Sequence, residues 1–161
     1  MTIAIGERVP DVKIKKVAGD AAEEISTTDF FAGRKVVLFG VPGAFTPTCT
    51  NSHLPGFVEN FDAFKTRGVD SVAVMAVNDG FVMGAWARFT GAEDKLEFLA
   101  DGNGELARAL GLDIDLSKGG LGTRVSRFSM LVEDGVIKQL NVEETPGTAE
   151  TSGAARLLEQ L

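Results

Sequence analysis

The chain has 161 residues, of which 44% are hydrophobic and 24% charged, and its 23 acidic and 16 basic side chains give a formal net charge of −7. That length suits one domain, residues 1–161, which buries about two-thirds of its unfolded surface around a single core. No apolar run is long enough to cross a bilayer and no basic cluster offsets the acidic excess, so we expect neither a membrane-spanning nor a nucleic-acid-binding protein.

Short apolar runs rich in β-branched residues alternate with helical patterns along the chain, which predicts an α/β fold. The predicted strands are residues 12–17, 35–41, 71–77, 97–100, 129–134 and 136–142. Residues 35–41 and 71–77 are nearly continuous hydrophobic runs, which is typical of central strands covered on both faces. The dipeptide Asp134-Gly135 between the last two strands predicts a tight hairpin.

An apolar stripe at helical spacing between the two central runs predicts a crossover helix. The stripe consists of Leu54, Phe57, Val58, Phe61 and Phe64. Pro55 cannot lie deep inside a helix without losing a backbone hydrogen bond, so we expect a separate turn over residues 49–53 or a kink just before Pro55. Further helices are predicted over residues 81–90, 104–110 and 151–161.

Cys49 is the only cysteine, and it follows the first central strand in a loop rich in proline and threonine. This order predicts a position just beyond the C-terminal end of a strand and in the first turn of the crossover helix, where open α/β sheets bind ligands. Backbone N–H groups at a helix start favour a thiolate. A buried structural thiol is the commonest fate of a free cysteine and stays an alternative.

A cytoplasmic location is expected from the cysteine count and from the first residues of the chain. One cysteine forms no internal disulfide, which fits a reducing compartment. The N-terminal residues show neither the basic and apolar regions of a signal peptide nor an Arg- and Ser-rich amphipathic pattern. The acidic excess is interpreted as a source of solubility.

Pro42, Thr46 and Cys49 stand at the spacing P-x-x-x-T-x-x-C, and the segment PGAFTPTCTNSHLPGF resembles the active-site loop of the peroxiredoxins. The segments VNDGFVMGAW, FLADGNGELARALGL and GLGTRVSRFSMLVEDGVI resemble the atypical type II, or peroxiredoxin-five, branch. The resemblance implies a thioredoxin-like fold with a central mixed sheet flanked by helices and an N-terminal strand extension. It also implies a thiol-dependent peroxidase that reduces hydrogen peroxide and organic hydroperoxides through one cysteine, without a cofactor or a metal.

Site residues follow from the same resemblance. It implies that Cys49 is the peroxidatic nucleophile, that the Thr46 hydroxyl hydrogen-bonds the peroxide and that Pro42 shields the site from water. Arg127 is the implied active-site arginine that binds sulfur and peroxide, because it immediately precedes a predicted strand. Arg124 is a second candidate for substrate binding in the same segment. A planar guanidinium fork suits this role better than a lysine ammonium.

The family often resolves the sulfenic acid with a second cysteine, which this chain does not contain. Val74 stands where type II plant relatives carry another cysteine, and the C-terminal region does not contain the resolving cysteine of the animal relatives. We therefore expect a 1-Cys mechanism, in which an external thiol attacks the sulfenic acid. Glutathione with glutaredoxin is the first expected electron donor and thioredoxin the second.

The resemblance also implies a homodimer whose contacts flank the active-site loops. Phe45, Phe81, Trp86 and Phe128 are candidates for those contacts, although each is equally compatible with the core. A hydroperoxide and a thiol reductant complete the expected partners.

His53 is the only histidine and follows Cys49 by four residues, so a helix would bring both side chains to one face. This spacing leaves a Cys/His hydrolase as a second reading of the site. The simpler interpretation is that His53 orients a backbone group or faces solvent. A zinc site is not expected, because one Cys and one His do not complete a tetrahedral shell. A non-catalytic redox sensor that passes oxidation from Cys49 to a partner protein stays open.

Overall fold

The computed structural model describes residues 1–145 and 147–161, and within them the chain forms nine strands and six α-helices. The strands are β1 (Lys13–Ala18), β2 (Ala21–Ser26), β3 (Lys35–Gly40), β4 (Ser71–Ala76), β5 (Leu96–Ala100), β6 (Asp113–Asp115), β7 (Thr123–Val125), β8 (Phe128–Glu133) and β9 (Val136–Val142). The helices are α1 (Thr27–Phe31), α2 (Leu54–Glu59), α3 (Phe61–Thr66), α4 (Gly80–Thr90), α5 (Glu105–Ala109) and α6 (Ala154–Glu159).

Seven strands form one mixed sheet in the order β2-β1-β5-β4-β3-β8-β9, which confirms the expected fold class. Strands β3, β4 and β5 run parallel, whereas β8 pairs antiparallel with β3 and β1 pairs antiparallel with β5. The β1–β2 hairpin at one edge is the N-terminal strand extension that the family resemblance implies. Strands β6 and β7 pair as a separate ribbon.

The central strands β3 and β4 separate two apolar layers. Along β3, Val37 and Phe39 face one layer, and Val36 and Leu38 face the other. Successive side chains of β3 thus point to opposite faces, and both faces are buried. This is why the sequence of β3 is continuously hydrophobic and does not alternate between apolar and polar residues. Helices α2, α3, α4 and α6 contribute to the first layer, and α1 and α5 contribute to the second. The predicted central, doubly covered strands are therefore confirmed.

The hairpin between β8 and β9 is the one that the sequence predicts. Asp134 and Gly135 have φ angles of 48° and 81°, and Glu133 pairs directly with Val136 across the turn. Two consecutive positive φ angles give the turn a twist that matches that of the flanking strands. The Asp-Gly dipeptide supplies the residue types that adopt this conformation at low cost.

The sequence predicts one crossover helix after β3, whereas the structure has three short helical pieces there. A π-helical turn (Cys49–His53) leads into α2, and the chain breaks at Asn60 before α3 begins. Pro55 lies in the first turn of α2, where its missing N–H has no intrahelical partner to lose. The predicted separate turn before Pro55 is thus confirmed, whereas the break at Asn60 was not predicted. Helix α6 is also shorter than the predicted helix over residues 151–161.

Two of the four aromatic residues suggested for a dimer contact are core residues, and this corrects the expectation for them. Trp86 and Phe128 are fully buried within the chain, so neither is available to a partner surface. Phe128 packs so closely on Gly40 that a Cβ there would lie 2.1 Å from its ring. Phe45 and Phe81 are exposed, as a contact role requires. Among the described residues, no helix is long and apolar enough to cross a membrane.

Candidate active site

The loop that carries the predicted motif is held at the C-terminal ends of two parallel strands. It leaves β3 after Gly40, and the Ala44 backbone N–H donates to Asn78 Oδ1 at 2.9 Å in the segment that follows β4. Phe45 adopts a φ of 67°, which is uncommon for a non-glycine residue. Such strained positions persist only where the surrounding structure fixes them, and they cluster at functional sites.

Cys49 lies at the start of the π-helical turn, and its side chain is fully buried. Arg127 Nη2 donates to Cys49 Sγ at 3.1 Å. This contact follows from the sheet register, because Gly40 at the end of β3 pairs with Phe128 at the start of β8, and Arg127 immediately precedes Phe128. Burial alone would suit the structural-thiol alternative. A guanidinium directed at sulfur instead favours the thiolate, which is the reactive, nucleophilic form of cysteine.

Arg127 is 2% exposed, and its second terminal nitrogen, Nη1, lies 3.0 Å from His53 Nδ1. The other ring nitrogen, His53 Nε2, lies 2.9 Å from the backbone oxygen of Ser152. Because a carbonyl oxygen only accepts, Nε2 carries the proton and Nδ1 accepts from Arg127. Burial, together with the positive charge of Arg127, lowers the pKa of His53 to about 3 against the opposing effect of the Ser152 carbonyl. The imidazole is therefore neutral at physiological pH.

This geometry argues against the Cys/His hydrolase. The acceptor lone pair of His53 already takes a hydrogen bond from Arg127, so His53 does not serve as a base for the Cys49 thiol. The expectation that His53 faces solvent is also wrong, since its side chain is 1% exposed and lies beside the rings of Phe39 and Phe57. The contact with a backbone carbonyl agrees with the other half of that expectation.

Thr46 and Arg124 both contact backbone oxygens of the loop. Thr46 Oγ1 donates its proton to Gly43 O at 2.7 Å, which leaves its lone pairs as acceptors. Arg124 donates from Nη1 to Pro42 O at 3.2 Å and from Nε to Leu121 O at 2.8 Å. Of the two candidate arginines, the structure therefore brings Arg127 to the sulfur and uses Arg124 to brace the loop.

A cavity of about 480 Å³ opens beside these residues. Pro42 and Thr46 line it together with Arg127, which also contacts the sulfur of Cys49. The apolar side chains of Leu116 and Leu121 also line it. A larger cavity of about 740 Å³ lies between the β1–β2 hairpin and the start of α4 and contains none of the predicted site residues. The smaller cavity is therefore the candidate substrate site.

The sequence did not indicate Glu143 and Ser152 as residues of this site. The Glu143 carboxylate accepts from the backbone N–H of Ser152 at 2.8 Å and from its hydroxyl at 3.0 Å. The Glu143 backbone N–H donates to Arg127 O at 2.9 Å. Nothing in the spacing of these residues indicates the contact, because 99 residues separate Ser152 from His53. The packing of α6 against the sheet brings the C-terminal segment here.

The chain matches a known protein family along nearly its whole length. Residues 4–158 match the family model described as Redoxin. Peroxiredoxin-2C of Oryza sativa subsp. japonica is 44% identical over 99% of this chain and 98% of its own length. The mitochondrial Peroxiredoxin-2F and chloroplastic Peroxiredoxin-2E of Arabidopsis thaliana are each 42% identical, over 98% and 96% of this chain and 81% and 67% of their own lengths.

Solved structures give the same result. Reduced Prx3 from Vibrio vulnificus, crystallised in complex with H2O2, superimposes with a TM-score of 0.92 at 42% identity and covers 99% of this chain and 96% of its own. The Plasmodium falciparum antioxidant protein, described as a 1-Cys peroxiredoxin, superimposes with a TM-score of 0.91 at 25% identity, with 98% of both chains covered.

Proposed function

The chain belongs to the redoxin family and, within it, to the type II peroxiredoxins, and from that premise we propose that it reduces hydrogen peroxide and organic hydroperoxides by a 1-Cys mechanism at Cys49. Membership makes the protein a thiol-dependent peroxidase. The observation that carries the proposal is the 3.1 Å contact between Arg127 Nη2 and Cys49 Sγ. A buried guanidinium at this distance favours the ionised sulfur, which is the nucleophile.

In the first step, the Cys49 thiolate attacks one oxygen of the peroxide. An S–O bond forms and the O–O bond breaks, so the sulfur is oxidised to a sulfenic acid and the peroxide is reduced. The leaving oxygen takes up a proton and departs as water or as an alcohol. Negative charge moves from sulfur to that oxygen during the step, and the Arg127 guanidinium, which donates to the sulfur at 3.1 Å, would stabilise both positions.

Thr46 would orient the substrate as an acceptor rather than as a donor. Its hydroxyl proton is used by Gly43 O, so the O–H of a hydroperoxide would donate to a lone pair of Thr46 Oγ1. The hydrogen bond expected between Thr46 and the peroxide would thus have Thr46 as its acceptor. Pro42 lines the same cavity and has no backbone N–H to compete for the peroxide.

The wall of the cavity supports organic hydroperoxides as substrates beside hydrogen peroxide. Pro47, Leu116 and Leu121 contribute to it with carbon-rich side chains. An alkyl group would bury apolar surface there, at about 25 cal/mol for each Å² removed from water. Hydrogen peroxide has no such group, so the wall would lower KM for the organic substrates only.

The reductive half of the cycle requires an external thiol, because Cys49 is the only cysteine of the chain. An incoming thiolate would attack the sulfenic sulfur, release water and form a mixed disulfide, and a second thiol would then restore Cys49. The name of the Plasmodium falciparum relative, a 1-Cys peroxiredoxin, is consistent with such a cycle. Glutathione with glutaredoxin is the proposed donor, with thioredoxin as the alternative.

Steady-state peroxide consumption with each donor system tests this proposal. Turnover with glutathione and glutaredoxin, and none in Cys49→Ser, is the expected result. Turnover with the thioredoxin system alone would reverse the order of donors. Oxidation of Cys49 without turnover by either system would contradict the enzyme and favour the redox sensor.

A homodimer in the cytoplasm completes the proposal. Phe81 is 88% exposed and Phe89 is 68% exposed, and the ring of Phe89 lies 5.4 Å from that of Phe45, which belongs to the site loop and is itself exposed. Exposed aromatic groups of this kind are typical of interface anchors. Sedimentation of the wild type and of Phe81→Glu would test the contact, and a monomeric wild type would contradict it. The cytoplasm stays a prediction, since the relatives include mitochondrial and chloroplastic forms.

A further inference from the structure

A closed ring of hydrogen bonds begins at the side chain of Arg127 and returns to its backbone. The Arg127 side chain contacts His53, and His53 contacts the backbone oxygen of Ser152. Ser152 donates to the Glu143 carboxylate, and the Glu143 backbone N–H donates to the backbone oxygen of Arg127. The ring therefore begins and ends on the same residue, and it connects the segment before β8 with the end of β9 and the start of α6.

We propose that His53 is a positioning residue for peroxide reduction: its neutral Nδ1 accepts a hydrogen bond from Arg127 Nη1 and thereby directs Nη2 at the sulfur of Cys49. This inference rests on the proposed function, because peroxide reduction is the reaction that the arginine serves. The guanidinium is a rigid planar fork, so fixing one terminal nitrogen fixes the direction of the other. The two observed distances, 3.0 Å to Nδ1 and 3.1 Å to Sγ, fall on the two terminal nitrogens of that fork.

The hydrogen bond from Arg127 to His53 Nδ1 requires one particular tautomer of His53. Nδ1 accepts from Arg127 only while Nε2 holds the proton, and the Ser152 carbonyl at 2.9 Å imposes that state. The Glu143 carboxylate holds Ser152 through both its backbone N–H and its hydroxyl. A doubly protonated imidazole would present a donor to Arg127 and break the contact. The ring thus secures an acceptor, and not merely a space-filling group, behind the arginine.

Packing fixes the orientation of the imidazole as well. Its ring centroid lies 5.0 Å from that of Phe39 and 5.5 Å from that of Phe57, and the side chain is 1% exposed. A purely structural role would rest on this packing alone. Positioning instead requires the acceptor at Nδ1, and substitutions at this one site separate the two requirements.

Three variants of His53 provide the test. In His53→Asn the amide oxygen reaches about where Nδ1 stood, so the acceptor for Arg127 is kept while much of the ring volume is lost. In His53→Gln the longer amide reaches about where Nε2 stood, so the contact with Ser152 is kept and the acceptor is lost. His53→Phe keeps the volume between Phe39 and Phe57 but keeps neither polar contact.

Stopped-flow rates with hydrogen peroxide are measured for the folded variants. We expect His53→Asn to stay within about threefold of the wild type, and His53→Gln and His53→Phe to fall about tenfold to a hundredfold, as a misdirected catalytic group does. The thiolate absorbance of Cys49 at neutral pH should fall in the same order. The opposite order, with His53→Phe fast and His53→Asn slow, is what packing alone predicts and would overturn the inference.

A double-mutant cycle keeps the test decisive if His53→Asn does not fold. His53→Phe is combined with Arg127→Lys, and the peroxide rates of the four proteins are compared. If His53 acts through Arg127, His53→Phe slows the Arg127→Lys protein far less than it slows the wild type. Equal fold losses in both backgrounds would overturn the inference.

The proposed function and this inference fail in different ways. A wild-type rate no higher than that of free cysteine would contradict the peroxidase itself. The rate of Cys49 alkylation by iodoacetamide would then still rank the His53 variants, because it reports the thiolate without peroxide chemistry. A normal wild-type peroxide rate with His53 variants in the wrong order would contradict the inference alone.

Discussion

Two arginines sit in polar clusters of this molecule, and the difference between their partners separates chemistry from structure. Arg34 Nη2 lies 2.8 Å from Glu97 Oε2, and both side chains are partly exposed. Arg127 is 2% exposed and donates to a sulfur and to a neutral imidazole. A guanidinium beside a carboxylate stabilises the fold, whereas one directed at a thiol favours the thiolate. The partner, and not the arginine itself, distinguishes the two roles.

The largest effect is expected from exchanging each arginine for lysine. Arg127→Lys should slow peroxide reduction about 100- to 1000-fold, because an ammonium cannot hold sulfur and imidazole at once and directs no second donor at the leaving oxygen. Arg34→Lys is the matched control and should leave the rate unchanged. Arg124→Lys should cost less than Arg127→Lys, since Arg124 contacts only loop carbonyls. Stopped-flow rates check all three, and a large loss in Arg124→Lys with none in Arg127→Lys would reverse the assignment.

Acid sensitivity should also differ between the clusters. The pKa of His53 is lowered by burial from 6.5 to about 3, so the unfolded chain binds a proton that the folded chain does not. The contribution of His53 to the free energy of unfolding is fully present above pH 6.5. Below that pH it falls by about 1.4 kcal/mol per pH unit until the pH approaches 3. Within the described part of the chain, the charged or titratable groups around His53 are Arg127 directly, Cys49 beyond it and Glu143 beyond Ser152.

Denaturant unfolding at pH 7 and pH 5 measures this dependence, with His53→Phe as the reference. Between pH 7 and pH 5 the unfolding free energy of the wild type should fall by about 2 kcal/mol more than that of His53→Phe. This is the effect expected when one histidine is neutral and buried in the folded protein but takes up a proton on unfolding. The other cluster titrates only at lower pH: burial acts to raise the pKa of Glu97, but hydrogen bonds from Ser71 and Arg34 outweigh it and hold this pKa below its usual value. A difference that stays constant between pH 7 and pH 5 would contradict a buried neutral His53.

A smaller effect is expected at the substrate hydroxyl. Thr46→Val removes the acceptor and the bond to Gly43 O, and the peroxide rate should fall by up to about tenfold, the value of one neutral hydrogen bond. Thr66→Val is the matched control, because Thr66 Oγ1 also donates to a backbone oxygen, Asp62 O, but does not line the cavity. An unchanged rate in Thr46→Val would remove its hydroxyl from the mechanism.

The smallest effect is expected in the structural cluster. Glu97→Gln removes the charge that Lys16 and Arg34 share, at 3.1 Å and 2.8 Å, and should lower the free energy of unfolding by up to about 1 kcal/mol. Its peroxide rate should equal that of the wild type. A loss of rate without a loss of stability would show that the two clusters are coupled and would break the distinction between them.

Much of the framework could be predicted from local sequence. Continuous apolar runs identified β3 and β4, the Asp134-Gly135 pair identified the hairpin, and Pro55 identified the break before α2. These features are local, because each depends on the conformational preference of a few neighbouring residues. The motif around Cys49 identified the family and, with it, the candidate arginine.

Other features depend on tertiary packing that no short segment encodes. Strand β2, AAEEIS, has little β-propensity and forms because it pairs with β1. The break at Asn60 follows from a side-chain bond to Gly56 O, which competes with the helix. The ring through His53, Ser152 and Glu143 joins residues far apart in sequence, and it exists only once β9 and α6 pack beside the site.

The most direct test of Cys49 as the peroxidatic nucleophile is the rate at which hydrogen peroxide oxidises the reduced protein, followed by stopped flow and intact mass with Cys49→Ser as the control. We expect a rate orders of magnitude above that of free cysteine and a gain of one oxygen that requires Cys49. A rate like that of free cysteine would leave the fold intact and contradict the role given to the contact between Arg127 and Cys49.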